Sequence, residues 1–207
     1  MKSLVMLLAV ALVGSAFAAE IVLQPDPGTG KDAMLNASSP STNYGTYTRL
    51  MVNYGTGRTV RGIVEFTGIS TIPANSTVNS AKLELWKQYT NNPNDQFGIY
   101  RVTASWQEMV VTWANQPAHN STAYVKTLVQ GGKWYEWDVK TLVQEWVNRT
   151  YPNYGFKLIR DNESGGAWPY FVSSDYATAT YRPKLTVNYT PSGVAPTSMG
   201  KLKALFQ

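Results

Sequence analysis

Apolar and polar positions alternate with a period of two over most of the chain from Ile21 to Tyr189, and β-branched and aromatic residues fill the alternating runs. A period of two belongs to strands, whose successive side chains point to opposite faces. The segment AKLELWKQ (81–88) shows it best: Ala81, Leu83 and Leu85 share one face, while Lys82, Glu84, Trp86 and Gln88 share the other. Further strands are expected over 21–24, 48–53, 60–66, 96–103, 123–129, 134–137, 155–160, 168–173 and 184–189. Gly, Pro and Asn punctuate these runs, and many short strands between such turns predict an all-β chain, a jelly-roll β-sandwich. Asn-Tyr-Gly recurs at 43–45, 53–55 and 153–155, which reads as turn chemistry and not as an internal repeat.

One segment changes period. After Asp138, a suitable N-cap, Val139, Leu142, Val143, Trp146 and Val147 fall at helical spacing, so one short amphipathic helix ending before Pro152 is expected to pack Trp146 into the core. Trp137 lies on the core face of its strand by parity. Trp106 and Trp113 bracket a long non-periodic run and are expected to anchor that loop as buried aromatics with bonded indole N–H groups.

The two ends differ from this middle. Residues 1–18 combine Lys2, an apolar run from Leu4 to Val13 and Ala16-Phe17-Ala18, the pattern of a secretory signal peptide, so the expected product is secreted, extracellular or at the cell surface. The apolar run is too short for a membrane span, and no transmembrane anchor is expected further on. Residues 19–190 suit one domain, and 191–207 read as a flexible basic tail that could dock on a cell-envelope or matrix protein. Cysteine is absent, so neither disulfides nor thiolate metal sites are available. The net charge of +5 falls close to neutral for the central module once both ends are set aside, and no Lys/Arg cluster argues for nucleic acid.

Candidate chemistry follows from strand parity. With Leu50, Val52, Val64, Phe66, Leu83 and Leu85 turned inward, Arg49, Asn53, Arg61, Glu65, Lys82, Glu84 and Trp86 turn outward, an aromatic and basic set suited to a glycan lying across a sheet. Lys157, Arg160, Trp168 and Tyr170 form a second candidate group. Sugars stack on aromatic faces, and uronate carboxylates add a demand for Arg or Lys. No cofactor is required, but structural calcium could draw on Asp26 and Asp32 in PDPGTGKD or on Asn91, Asn94 and Asp95 in NNPND. His119 is the sole histidine, which argues against zinc. GTGK at 28–31 imitates a P-loop, but Pro25 and Asp32 break the motif.

The order of segments also carries a likeness. LQPDPGTGKDAML, NYGTYTRLMV, RGIVEF, YRVTASWQEMVVTWANQP, DVKTLVQEWVN, FVSSD and RPKLTVNY, read in sequence, resemble the DNRLRE-type β-sandwich module, similar to carbohydrate-binding module family 96. The resemblance covers 21–190 and implies a jelly roll that binds polysaccharide without catalysis, with acidic, uronate-type polymers bound by some relatives. Two other readings stay open: a structural module of a surface assembly docking through its tail, and a jelly-roll polysaccharide lyase built on His119 with Asn115 or Asn120.

Overall fold

The computed structural model describes residues 17–52, 58–88, 94–163 and 169–192. The expected signal peptide (1–16 of it), nearly all of the expected tail, Asn53, Asn91 and Trp168 lie outside the described residues. Eleven strands form two antiparallel sheets: β1 (Ala19–Leu23), β2 (Asp32–Asn36), β3 (Arg49–Met51), β4 (Val60–Val64), β5 (Thr77–Lys87), β6 (Asp95–Arg101), β7 (Val125–Val129), β8 (Lys133–Asp138), β9 (Phe156–Arg160), β10 (Tyr170–Val172) and β11 (Lys184–Thr190). The six-stranded sheet runs β1-β11-β5-β10-β3, with β8 along the other edge of β5; the five-stranded sheet runs β2-β4-β9-β6-β7. The chain is therefore the all-β sandwich that its alternation predicts.

The inner faces meet as parity requires. Leu50, Val52, Val64, Phe66, Leu83 and Leu85 join Phe97, Ile99, Trp137, Phe156, Leu158, Phe171, Leu185 and Val187 in one core. Aromatic edges hold it together, with Trp137 against Phe171 at 5.8 Å and Phe97 against Phe171 at 6.1 Å. The Trp137 indole donates to Phe97 O at 2.8 Å and so carries a satisfied N–H, whereas the equally buried Trp146 indole N–H meets no acceptor among the described residues.

The helix is where the period changes. α1 (Lys140–Val147) buries Leu142, Val143, Trp146 and Val147, and Trp146 packs edge-on against Phe156 at 4.8 Å. The helix begins one residue later than expected, with Val139 and not Asp138 at the N-cap position, although Asp138 Oδ1 still accepts from Lys140 N at 3.0 Å. Arg149, in the left-handed region at φ 61°, ends the segment.

β2 was not expected from periodicity. Asp32, Ala33, Met34 and Leu35 are all buried, because a loop covers the outer face of the five-stranded sheet at this edge. A strand buried on both sides loses its alternation. That cover is residues 103–119, which bring Trp106 and Val111 over Ala33, Leu35, Ile63 and Val102 to make a second apolar cluster, with Trp113 packed beside it. As expected, Trp106 anchors the loop, its indole donating to Tyr154 O at 2.9 Å.

Two of the Asn-Tyr-Gly turns are described and share one device. Asn43 Oδ1 accepts from Gly45 N at 3.1 Å and Asn153 Oδ1 from Gly155 N at 3.0 Å. Each amide group then reaches outward: Asn43 Nδ2 donates to Glu108 O and Val111 O, both at 2.7 Å, and Asn153 Nδ2 to Phe66 O at 2.9 Å. Gly155 has φ +88°, where a side chain would be strained.

Candidate functional site

β5 lies inside the six-stranded sheet, so its outward residues sit mid-face. Register sets Trp86 opposite Trp134, Glu84 opposite both Glu136 and Lys184, and Lys82 opposite Asp138. Trp86 meets Trp134 edge to face at 5.7 Å and stacks on Tyr181 at 4.6 Å with 21° between planes; Tyr176 follows at 6.5 Å from Tyr181. The four rings make a continuous, partly exposed aromatic layer on the outer face of this sheet. Tyr181 supplies the cover that Trp86 needs on one side and is itself exposed.

Polar groups frame this layer. Gln88 Nε2 donates to the Tyr176 hydroxyl at 2.7 Å, and Lys184 Nζ stands 5.4 Å from the Trp134 ring. Lys184 pairs with Glu84 at 2.9 Å and Lys82 with Glu136 at 2.8 Å, so these cations are already balanced. A groove of about 460 Å³ continues the layer along β5 and β8, lined by Asn79, Ser80, Lys82, Glu136, Asp138 and Lys140. Beyond Gln88, whose N–H meets Tyr170 O at 3.4 Å, the buried Tyr170 ring carries the exposed Arg49 guanidinium 4.7 Å from its centroid. Among the described residues Arg49 makes no ion pair.

Arg49, Lys82, Trp86 and Tyr170 thus share one surface. Arg61 does not, which corrects the expectation of a single basic face: β4 belongs to the other sheet, and Arg61 lies under the covering loop, 5.1 Å from the Trp113 ring and bidentate to Glu163 at 2.8 and 3.0 Å. Lys157 and Arg160 are likewise internal. Lys157 is 1% exposed and donates to Pro117 O at 2.6 Å and Gln116 Oε1 at 3.1 Å; burial, with help from the Arg61 charge, holds its amine down at about 8. Arg160 is 4% exposed and pairs with Asp95 at 2.9 Å. Tyr176, Tyr181 and Trp134 were missed as site residues. Both tyrosines lie in an irregular segment without period, while Trp134 carried a signal, since its strand alternates.

The calcium candidates separate as well. Asp26 folds its carboxylate onto its own turn, accepting from Gly28 N, Thr29 N and Thr29 Oγ1 at 2.9 to 3.0 Å. Asp95 is occupied by Arg160 and by Gln96 N, and Asn94 Oδ1 accepts from Gln130 Nε2 at 2.8 Å, so this stretch reads as turn and ion-pair structure. Asp32 differs. Its carboxyl, with those of Glu108 and Asp175, brings one oxygen from each residue within 4.8 Å of the others. Burial lifts the Asp32 carboxyl to about 7, and burial raises Glu108 and Asp175 too, with the Asp175 charge adding to Glu108.

The groups weighed for lyase chemistry serve their own loops. His119 Nδ1 contacts Asn120 O at 2.8 Å, and its ring packs edge-on against Tyr100 at 5.1 Å. Burial lowers its pKa. Asn115 Oδ1 accepts from Thr112 N, and Asn120 Oδ1 from Arg101 N, both at 2.6 Å. A separate groove of about 430 Å³ beyond α1 is lined by Trp146, Arg149, Tyr151, Asn153 and the residues of the 67–71 turn. No helix among the described residues is long and apolar enough to cross a membrane.

A comparison with curated proteins found no match. The pattern of a protein family, by contrast, matches residues 28–189, which takes in ten of the eleven strands, α1 and the covering loop. With that match spanning most of the sandwich and an aromatic layer open on one of its faces, the chain belongs to carbohydrate-binding module family 96.

Proposed function

We propose that the protein is an exported, non-catalytic module that holds an extracellular polysaccharide against the outer face of its six-stranded sheet. The observation that carries this reading is the continuous, partly exposed layer of Trp134, Trp86, Tyr181 and Tyr176 on the outer face of this sheet, flanked by the Lys82 and Glu136 groove. Aromatic faces take the apolar faces of pyranose rings, and the mixed acids, amides and ammonium groups beside them can satisfy hydroxyls. From Ser80 to Trp86 the strand rises about 20 Å, room for several sugar units in line.

The charges refine the ligand class. Lys82 and Lys184 are neutralised by Glu136 and Glu84, which suits hydroxyl-rich stretches of polymer. Arg49 stands at the far end of the band with its fork toward solvent, and there a uronate carboxylate has a bidentate partner. Affinity electrophoresis in gels containing a neutral mannan or polygalacturonate tests both parts. Trp134→Ala and Tyr181→Ala should abolish retardation on whichever gel retards the native protein. Arg49→Ala should weaken it on polygalacturonate alone, in the manner of added salt. Unchanged retardation of the two aromatic variants, with loss in Tyr151→Ala, would move the site to the groove beyond α1. The His119, Asn115 and Asn120 contacts support the absence of catalysis, and release of unsaturated uronate ends on incubation with polygalacturonate would overturn that part.

A further inference from the structure

Three separate segments converge on the start of β2. Asp32 begins the strand, Glu108 comes from the covering loop, and Asp175 follows β10. The Asp32 backbone N–H donates to Glu108 Oε1 at 2.8 Å, and Ser174 N donates to Asp32 Oδ2 at 2.8 Å, so main-chain bonds fix two of the three carboxyls, while the backbone N–H of Asp175 donates to Ser173 Oγ at 3.2 Å. Two side-chain atoms are left over. Asp32 Oδ1 and Ser174 Oγ are both buried, in residues 1% exposed, and neither has a partner with hydrogen-bond geometry, although the Ser174 hydroxyl sits close enough to Asp32 to lower its pKa. A buried carboxylate oxygen and a buried hydroxyl without partners are costly unless something else meets them.

The surroundings pack closely against this arrangement. Gly30 lies so close that a Cβ there would stand 2.1 Å from Ser174 Oγ, and a Cβ on Gly45 would stand 2.5 Å from Glu108 O. The Asp26 turn presents Gly30, its carbonyl accepting from Gly30 N at 2.6 Å, and the Asn43 turn grips Glu108 O. The neighbouring lysine is taken, since Lys31 pairs with Glu65 at 2.7 Å and leans over Trp106. Lys31 and Arg182 reach Glu108 and Asp175 only through the field of their charges, and among the described residues none of the three carboxyls is ion-paired, so a cation from outside the chain would complete the group.

We infer that Asp32, Glu108, Asp175 and Ser174 form a binding site for a hard divalent cation, calcium by its all-oxygen ligand set. Oxygens 4.8 Å or less apart can share one ion at the 2.3 to 2.6 Å distances that calcium takes. Such an ion ties the loop over the five-stranded sheet to the segment after β10 and to the edge strand β2, so its role is structural; Asp175 precedes Tyr176, the last ring of the aromatic layer, in the chain. The inference does not rest on glycan binding.

The test uses the full protein stripped with chelator and then titrated with CaCl2, MgCl2 or TbCl3. Calcium at about a hundredfold excess over its Kd should raise the melting temperature by roughly 5 to 10 °C. Terbium should bind saturably, with luminescence sensitised by the nearby Trp106 and displaced by calcium. Asp175→Asn should weaken calcium at least tenfold. Asp32→Asn should be more stable than the native protein in chelator, because it relieves carboxylate repulsion while keeping an acceptor for Ser174 N, and it should be indifferent to calcium. Glycan retardation serves only as a separate readout. The inference is overturned if neither calcium nor terbium binds saturably at millimolar concentration, if both variants bind as tightly as the native chain, or if Asp32→Asn loses stability equally with and without calcium.

Discussion

The two outer faces of the sandwich have similar alternation and opposite fates. On the five-stranded sheet, Arg61 and Lys157 point outward and then meet other parts of the chain: the half-buried Arg61 lies beside the Trp113 ring and pairs with Glu163, and the buried Lys157 donates to Pro117 O and Gln116 Oε1. On the six-stranded sheet, Lys82, Lys184 and Arg49 point outward and remain at the surface beside four linked aromatic rings. Outward parity therefore does not mean solvent. A face becomes available to a ligand only where no other part of the chain needs it as a floor.

The comparison breaks most forcefully at Trp106. Replacing it with Ala removes the ring that seats the covering loop and the bond to Tyr154 O, and should cost about 3 to 5 kcal/mol in urea unfolding while glycan retardation of the folded fraction is unchanged. A retardation loss would mean that the two faces are coupled. Lys157→Met tests the same floor more locally. Leaving Pro117 O and Gln116 Oε1 without their donor should cost roughly 1 to 3 kcal/mol at pH 7.

Lys157 also gives a pH signature. Its amine titrates at about 8 in the folded chain against an ordinary 10.5, so the charged form is penalised by folding below pH 8. Between those values the unfolded chain binds the extra proton, and the native protein should gain stability as pH rises above 8, relative to Lys157→Met. Urea midpoints from pH 7 to 10 measure the difference; parallel curves for the two proteins would contradict it.

On the open face the sizes reverse. Tyr181→Ala removes a stacked partner of Trp86 and should cost about 1 kcal/mol of stability, yet reduce polysaccharide affinity at least tenfold. Smallest of all is the Lys82 and Glu136 pair, both about half exposed. Exchanging either for Ala should leave the unfolding midpoint within error and alter retardation by less than Tyr181→Ala does.

This contrast also marks how far the sequence could be read. Alternation and turn punctuation marked out ten of the eleven described strands, even β9 and β10, which are buried on both faces, and helical spacing placed Trp146 in the core. β2 escaped since the covering loop buries Ala33 and Leu35 from outside, erasing its period. Parity placed Trp86 and Arg49 outward correctly but carried no information on which sheet Arg61 would join. Asp32 was legible as an acid in a tight loop, whereas its partners stand 76 residues away at Glu108 and farther still at Asp175. Only the tertiary fold brings those three together.

The pairing of β1 with β11 sets a timetable for the molecule. Ala19 lies opposite Tyr189 and Leu23 opposite Leu185, and β11 also supplies one edge partner of β5. The six-stranded sheet is therefore incomplete until β11, the last of the described strands, has emerged from the ribosome. Contacts of such long sequence separation fold slowly and leave strand edges open meanwhile. A chain with this topology completes its six-stranded sheet only in a late step; truncation before Lys184 should yield a product cleared by proteases, not a smaller working module.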